Sequence, residues 1–227
     1  MSGSEASALQ WRPGWLTYGG LAVALAGPSA IAALSLRSAD SLGIQMLLQL
    51  TFCSLAVVVI AIVIKGERLP LSSIGLRQPD WSTLATALLL FLVGFFVMPL
   101  VTTPLVEAWG RRGADAGIAE LAVCPAWFRI FLAVTSGIVE ETLYRGYAVE
   151  RLSTITGRRW LGATLATLAF AAAHIPMWGL GFSLAADLPA GILLVAFYLW
   201  RRDLIANMLA HSAGILVAMF TTVPLAI

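Results

Sequence analysis

The sequence predicts an all-α, polytopic transmembrane helical bundle of about seven spans. Composition, segment length and the placement of basic residues carry that prediction. Of the 227 residues, 59% are apolar and 11% charged, against about a quarter charged in a soluble domain, and the mean hydropathy is +0.89. A helix needs about 20 apolar residues to cross a hydrocarbon core about 30 Å thick. Such spans with short connections fill the chain, so 1–227 reads as a single integral membrane domain.

In order, the spans fall at about 15–36, 43–64, 83–106, 127–149, 160–180, 182–200 and 204–225. Basic residues alternate in density between the connections. The N-terminus and every second loop hold nine of them: Arg12, Lys65, Arg68, Arg77, Arg151, Arg158, Arg159, Arg201 and Arg202. The opposite side holds four: Arg37, Arg111, Arg112 and Arg129. The positive-inside rule then places the N-terminus in the cytosol and the C-terminal Ile227 outside. Basic residues arranged this way follow the bilayer and argue against a nucleic-acid partner.

Before the first span the polar N-terminus carries only Arg12, and Ala30-Ile31-Ala32, shaped like a cleavage site, runs through a short loop into another span. Span 1 is therefore read as retained. Cys53 lies within span 2 and Cys124 in an outer loop, a placement that suits packing residues and is too sparse for a Cys-based zinc site. Between spans 2 and 3, Leu69 to Arg77 mixes apolar and basic residues around Pro70 and Gly75, as expected of a cytosolic interfacial segment, with Trp81 anchoring the next helix at headgroup depth. The 107–126 loop is the longest and most charged connection, and the chain shows no internal repeat of the transporter kind.

Ionisable groups inside spans are costly and are functional candidates by default. Span 4 contains Glu140-Glu141-Thr142-Leu143-Tyr144-Arg145. On a helix, Glu141 and Arg145 stand four apart and pair, whereas Glu140 is turned about 100° away and stays available. Span 5 contains Phe170-Ala171-Ala172-Ala173-His174, with Phe170 on the face of His174; span 7 contains Asn207-Met208-Leu209-Ala210-His211. Each histidine alone would suit an interhelical hydrogen bond. Their depths, however, agree with that of Glu140: roughly 15, 21 and 12 Å from the cytosolic ends of their helices for Glu140, His174 and His211. One mid-membrane cavity can hold all three, and a carboxylate with two imidazoles there suits hydrolysis by an activated water.

Glu-Glu-x-x-x-Arg, Phe-x-x-x-His and a final membrane histidine together resemble the CPBP family, the CAAX-protease and bacteriocin-processing (Abi) intramembrane peptidases. Ile74-Gly75-Leu76-Arg77 is similar to that family's lead-in, and the likeness extends over about 69–220, its catalytic core. The resemblance implies that Glu140 is general base to a water, supported by Glu141 and Arg145. His174 and His211 would position the water, bind a metal or stabilise the oxyanion. Two histidines and Glu140 make a zinc ligand set with an open position, although His-Glu-x-x-His is absent, so zinc and a metal-independent water both stay open. No Gly-x-Ser-x-Gly string points to a serine protease.

One position departs from the pattern. Where the family often has Asn or Asp, four residues after the last histidine, this chain has Ile215; Asn207, one turn before His211, is the candidate to replace it. The implied activity is an intramembrane endopeptidase in a bacterial cell membrane, acting on a peptide or membrane protein, prenylated or not. A non-catalytic scaffold or bacteriocin-immunity factor, and a small proton-coupled transporter, are the alternatives.

Overall fold

In the computed structural model, residues 11–35, 41–113, 115 and 124–221 are described. Ile227, Arg37 and most of 114–123 in the long loop lie outside the described residues. The described chain is all-α: α1 (Trp15–Ser35), α2 (Leu42–Ala61), α3 (Trp81–Leu92), α4 (Met98–Leu105), α5 (Ala126–Glu140), α6 (Val149–Thr156), α7 (Arg159–Phe182), α8 (Leu188–Arg201) and α9 (Leu204–Thr221). Several of these join through π-helical turns, α3 to α4 through Val93–Val97, α5 to α6 through Glu141–Ala148 and α7 to α8 through Ser183–Asp187, so the described residues form six continuous runs.

Five of the runs are long and apolar enough to cross a membrane: Trp15–Leu34, Leu42–Gly66, Trp81–Gly113, Arg159–Arg201 and Leu204–Thr221. Their outer faces present Leu47, Val57, Leu88, Phe96, Leu100 and Leu168 to the surroundings. So broad an apolar surface is stable against lipid and not against water. The protein is a polytopic helical membrane protein. The α5–α6 run is less apolar because it carries Arg129, Glu140, Glu141, Arg145, Glu150 and Arg151.

Arg159–Arg201 spans 43 residues, about twice what one crossing requires. It is folded back on itself. Gly179 interrupts the helix at φ 77° and ψ 161°, a conformation open to glycine alone at little cost. As a result Phe170 and Gly191 pack together, a Cβ at Gly191 falling 3.0 Å from the Phe170 ring, whereas an unbroken helix would separate them by about 31 Å. This hairpin brings the Phe170 face of α7 against α8.

One end of the bundle is tied by polar side chains. Asp203, buried in the two-residue link between α8 and α9, accepts from Arg77 at 2.9 Å, from Thr83 at 2.6 Å and from the Ala206 N–H at 3.1 Å. Gly75, at φ 75°, turns the Leu71–Ile74 segment so that its carbonyl accepts from the Leu204 N–H at 3.0 Å. Ile74 is fully buried, so this lead-in segment packs into the bundle rather than only resting on its surface. The Glu67 carboxylate joins three elements, accepting from Thr17 at 2.9 Å, Tyr147 at 3.0 Å and Arg151 at 2.7 Å. Cys53 and Cys124 remain thiols, the latter donating to Gln45 at 3.3 Å.

Candidate active site

The site begins where α5 passes into a π-helical stretch. Glu141–Ala148 is buried along its whole length, and π turns are rare shapes that recur at functional sites. Glu141 is fully enclosed and fully partnered. Arg145 lies 3.1 Å from its Oε1, His211 Nδ1 2.8 Å from the same oxygen, and the Asn207 amide donates to Oε2 at 3.1 Å. The second Asn207 proton goes to the Leu194 carbonyl at 2.8 Å. Asn207 therefore holds Glu141 and reaches back to α8; it does not point into the space beside His211.

Arg145 is held as firmly. Its Nη2 lies 3.4 Å from the Gly191 carbonyl, and its guanidinium stacks 4.1 Å from the centre of the Phe170 ring. Phe170 is the hub of the site. Tyr144 meets it edge-on at 5.4 Å between centroids, His174 at 4.6 Å and His211 at 6.2 Å. The Phe170 carbonyl also receives His174 Nδ1 at 2.8 Å.

Those two imidazole contacts define the tautomers. A carbonyl and a carboxylate only accept, so the proton of each neutral ring sits on Nδ1 and each Nε2 presents a lone pair. Both lone pairs face Glu140, whose Oε2 lies 3.8 Å from His211 Nε2 and 4.0 Å from His174 Nε2. That oxygen is buried and has no hydrogen-bond partner. With both rings neutral and Glu140 ionised, three acceptors converge without a donor between them, and a proton-bearing species there would satisfy them. A water about 2.8 Å from both sides of such a gap subtends an angle of about 90°, an ordinary bridging geometry.

The donor chemistry of Glu140, His174 and His211 suits zinc, but the spacing is wide for it. Ligands about 2.0–2.2 Å from one ion stand about 3.3 Å apart, and no group of three His, Cys, Asp or Glu side chains among the described residues is close enough to hold a metal ion.

Two further residues enter the site that the sequence analysis leaves out. Asp187, on the π turn before α8, buries an Oδ2 without a hydrogen-bond partner within electrostatic range of His174 and Glu140. As a carboxylate inside an apolar run it met the criterion applied to Glu140. Tyr144 stands one turn beyond Glu140 with its hydroxyl also buried and unpartnered. Its aromatic character disguised it as core.

Residues 122–216 match the family model of the Rce1-like type II CAAX prenyl endopeptidases. The chain carries an Rce1-like family domain. The match takes in every residue of the site, from Glu140 through His174 to His211, and Ile215 with them. It starts beyond the Ile74 to Arg77 lead-in, which the structure nevertheless fastens to the Rce1-like domain through Asp203. No curated protein and no solved structure matches the chain.

Proposed function

We propose that this protein is an intramembrane endopeptidase in which Glu140 activates a water held between it and the two imidazoles. The observation that carries the reading is the convergence of the unpartnered Glu140 Oε2 with the two Nε2 lone pairs at 3.8 and 4.0 Å. Water placed there gives one proton to Glu140 while its oxygen attacks a peptide carbonyl; the carbonyl π pair moves onto its oxygen. Collapse of the adduct breaks the C–N bond, and the proton on Glu140 passes to the leaving amine. His211, held by Glu141, and His174, held by the Phe170 carbonyl, orient the water. Glu141, Arg145 and Asn207 hold His211 and Phe170 in place and do not touch the reacting atoms.

The family supports a lipidated or membrane-anchored peptide as substrate. For topology, the reading is seven crossings, with the Gly179 hairpin counted as two and α5–α6 as one, and with the N-terminus in the cytosol of a bacterial cell membrane. The basic asymmetry and the fold-back at Gly179 support it. The test is purified protein in detergent or proteoliposomes with a membrane-anchored peptide bearing a quenched fluorophore. Time-dependent cleavage, with the new termini identified by mass, is expected. Proton flux without cleavage would favour the transporter, and neither activity would favour a scaffold.

A further inference from the structure

We infer that the Tyr144 hydroxyl is a catalytic hydrogen-bond donor, stabilising the oxyanion of the tetrahedral adduct formed at Glu140; this rests on the peptidase reading above. The inference follows from which donors around the site are already committed. Four side chains pack on the Phe170 ring: Tyr144, Arg145, His174 and His211. Arg145 donates to Glu141 and the Gly191 carbonyl, His211 Nδ1 to Glu141, and His174 Nδ1 to the Phe170 carbonyl. Both Asn207 amide protons are likewise committed, to Glu141 and the Leu194 carbonyl. Of the four on the ring, Tyr144 alone makes no hydrogen bond through its polar atom, although its side chain is 1% exposed.

An unpartnered buried hydroxyl costs stability, typically about 1–3 kcal/mol, so its presence needs a reason beyond packing; phenylalanine would fill the same ring position. Its placement supplies one. Tyr144 follows Glu140 by four residues, and long side chains on a helix lean toward its N-terminus. The phenol thus reaches back over the turn that carries Glu140, with which it interacts electrostatically. Both Glu140 Oε2 and the Tyr144 hydroxyl are sealed and unpartnered, as expected of a base and an oxyanion donor prepared for one bound carbonyl. When the water attacks, negative charge develops on the carbonyl oxygen, and the phenol donates to it without itself losing the proton. It returns to its unpartnered state when the C–N bond breaks. A preorganised donor in a low-dielectric site is worth most at that moment.

The test compares wild type, Tyr144→Phe and Glu140→Gln on the same anchored peptide, reading kcat, KM, inhibition by a phosphinate analogue of the adduct, and the unfolding temperature in detergent. Tyr144→Phe is expected to lower kcat by about 10²-fold, to leave KM within about twofold, and to weaken the phosphinate in parallel. Its unfolding temperature should be unchanged or higher. Wild-type kcat in Tyr144→Phe, alongside an inactive Glu140→Gln, would overturn the assignment and leave the peptidase reading standing. A fall in unfolding temperature with a proportionate loss of both kcat and phosphinate-independent peptide binding would make the hydroxyl structural and overturn it too. A wild type without turnover would overturn both.

Discussion

His211 Nδ1 and Glu141 Oε1 lie 2.8 Å apart, joining α9 to the π stretch after α5. In the proposed mechanism this contact casts Glu141 as a support and Glu140 as the base, because the imidazole proton that Glu141 accepts leaves the His211 lone pair toward Glu140. Glu141→Gln is expected to leave Arg145 buried without its counter-charge, a loss of about 3–5 kcal/mol, and to reduce turnover through His211. Asn207→Ala removes two hydrogen bonds from the same centre and is expected to cost about 1–3 kcal/mol and to lower kcat, with KM little changed. Unfolding in detergent and steady-state kinetics check both. A Glu141→Gln variant as stable as wild type would show that this web is not what holds Arg145.

The close packing of Gly191 against Phe170 makes a smaller change informative. An alanine methyl there would stand 3.0 Å from the Phe170 ring and 3.1 Å from Thr167, so the ring must give by a few tenths of an ångström. Because that ring carries His174, Gly191→Ala is expected to lower kcat by about 3- to 10-fold. Stability should change less than in Glu141→Gln. Unaltered kinetics would mean that the hairpin relaxes without moving His174.

Asp203 provides a pH test away from the membrane core. Burial raises its pKa, but donation from Thr83, Arg77 and the Ala206 N–H outweighs burial and holds it below the usual aspartate value. A depressed folded pKa contributes stability above the unfolded value and loses it as pH falls through the folded one. Asp203→Asn is therefore expected to lower the unfolding temperature at pH 7. The gap to wild type should close below about pH 4. A gap that stays constant to the lowest tolerated pH would show that the carboxylate charge does not stabilise this end of the bundle.

Topology is checked by reporter fusions after Arg159, after Gly179 and after Arg202. Opposite signals for Gly179 and the other two are expected from a hairpin that crosses twice. Three equal signals would mean that 159–201 does not return across the bilayer.

The polytopic helical character was legible because lipid-facing and core residues alike are apolar; of the seven expected spans, however, 127–149 is not among the five runs apolar enough to cross, and 160–180 with 182–200 form a single run. The approach of Glu140 to His174 and His211 was legible from helical rise alone, as was the Glu141–Arg145 pair from its spacing. Other parts were hidden for physical reasons. The π turns leave no mark in apolar periodicity. The acceptors that orient His174, Arg145 and Asn207 are the carbonyls of Phe170, Gly191 and Leu194, and every residue has one. Which carbonyl faces inward depends on how the Gly179 hairpin packs. Asn207 illustrates the limit: its spacing from His211 suggested a donor beside that ring, but contact with α8 directs it to Glu141 and Leu194.

The most direct test of the central claim is the turnover of Glu140→Gln beside that of wild type on the membrane-anchored peptide, with unfolding temperature measured on the same preparations. Glutamine keeps the shape and removes the proton acceptor. The account predicts loss of cleavage by at least about 10²-fold in a variant that unfolds at or above the wild-type temperature, since a carboxylate oxygen with no hydrogen-bond partner contributes little to folding. Wild-type cleavage by Glu140→Gln would contradict it.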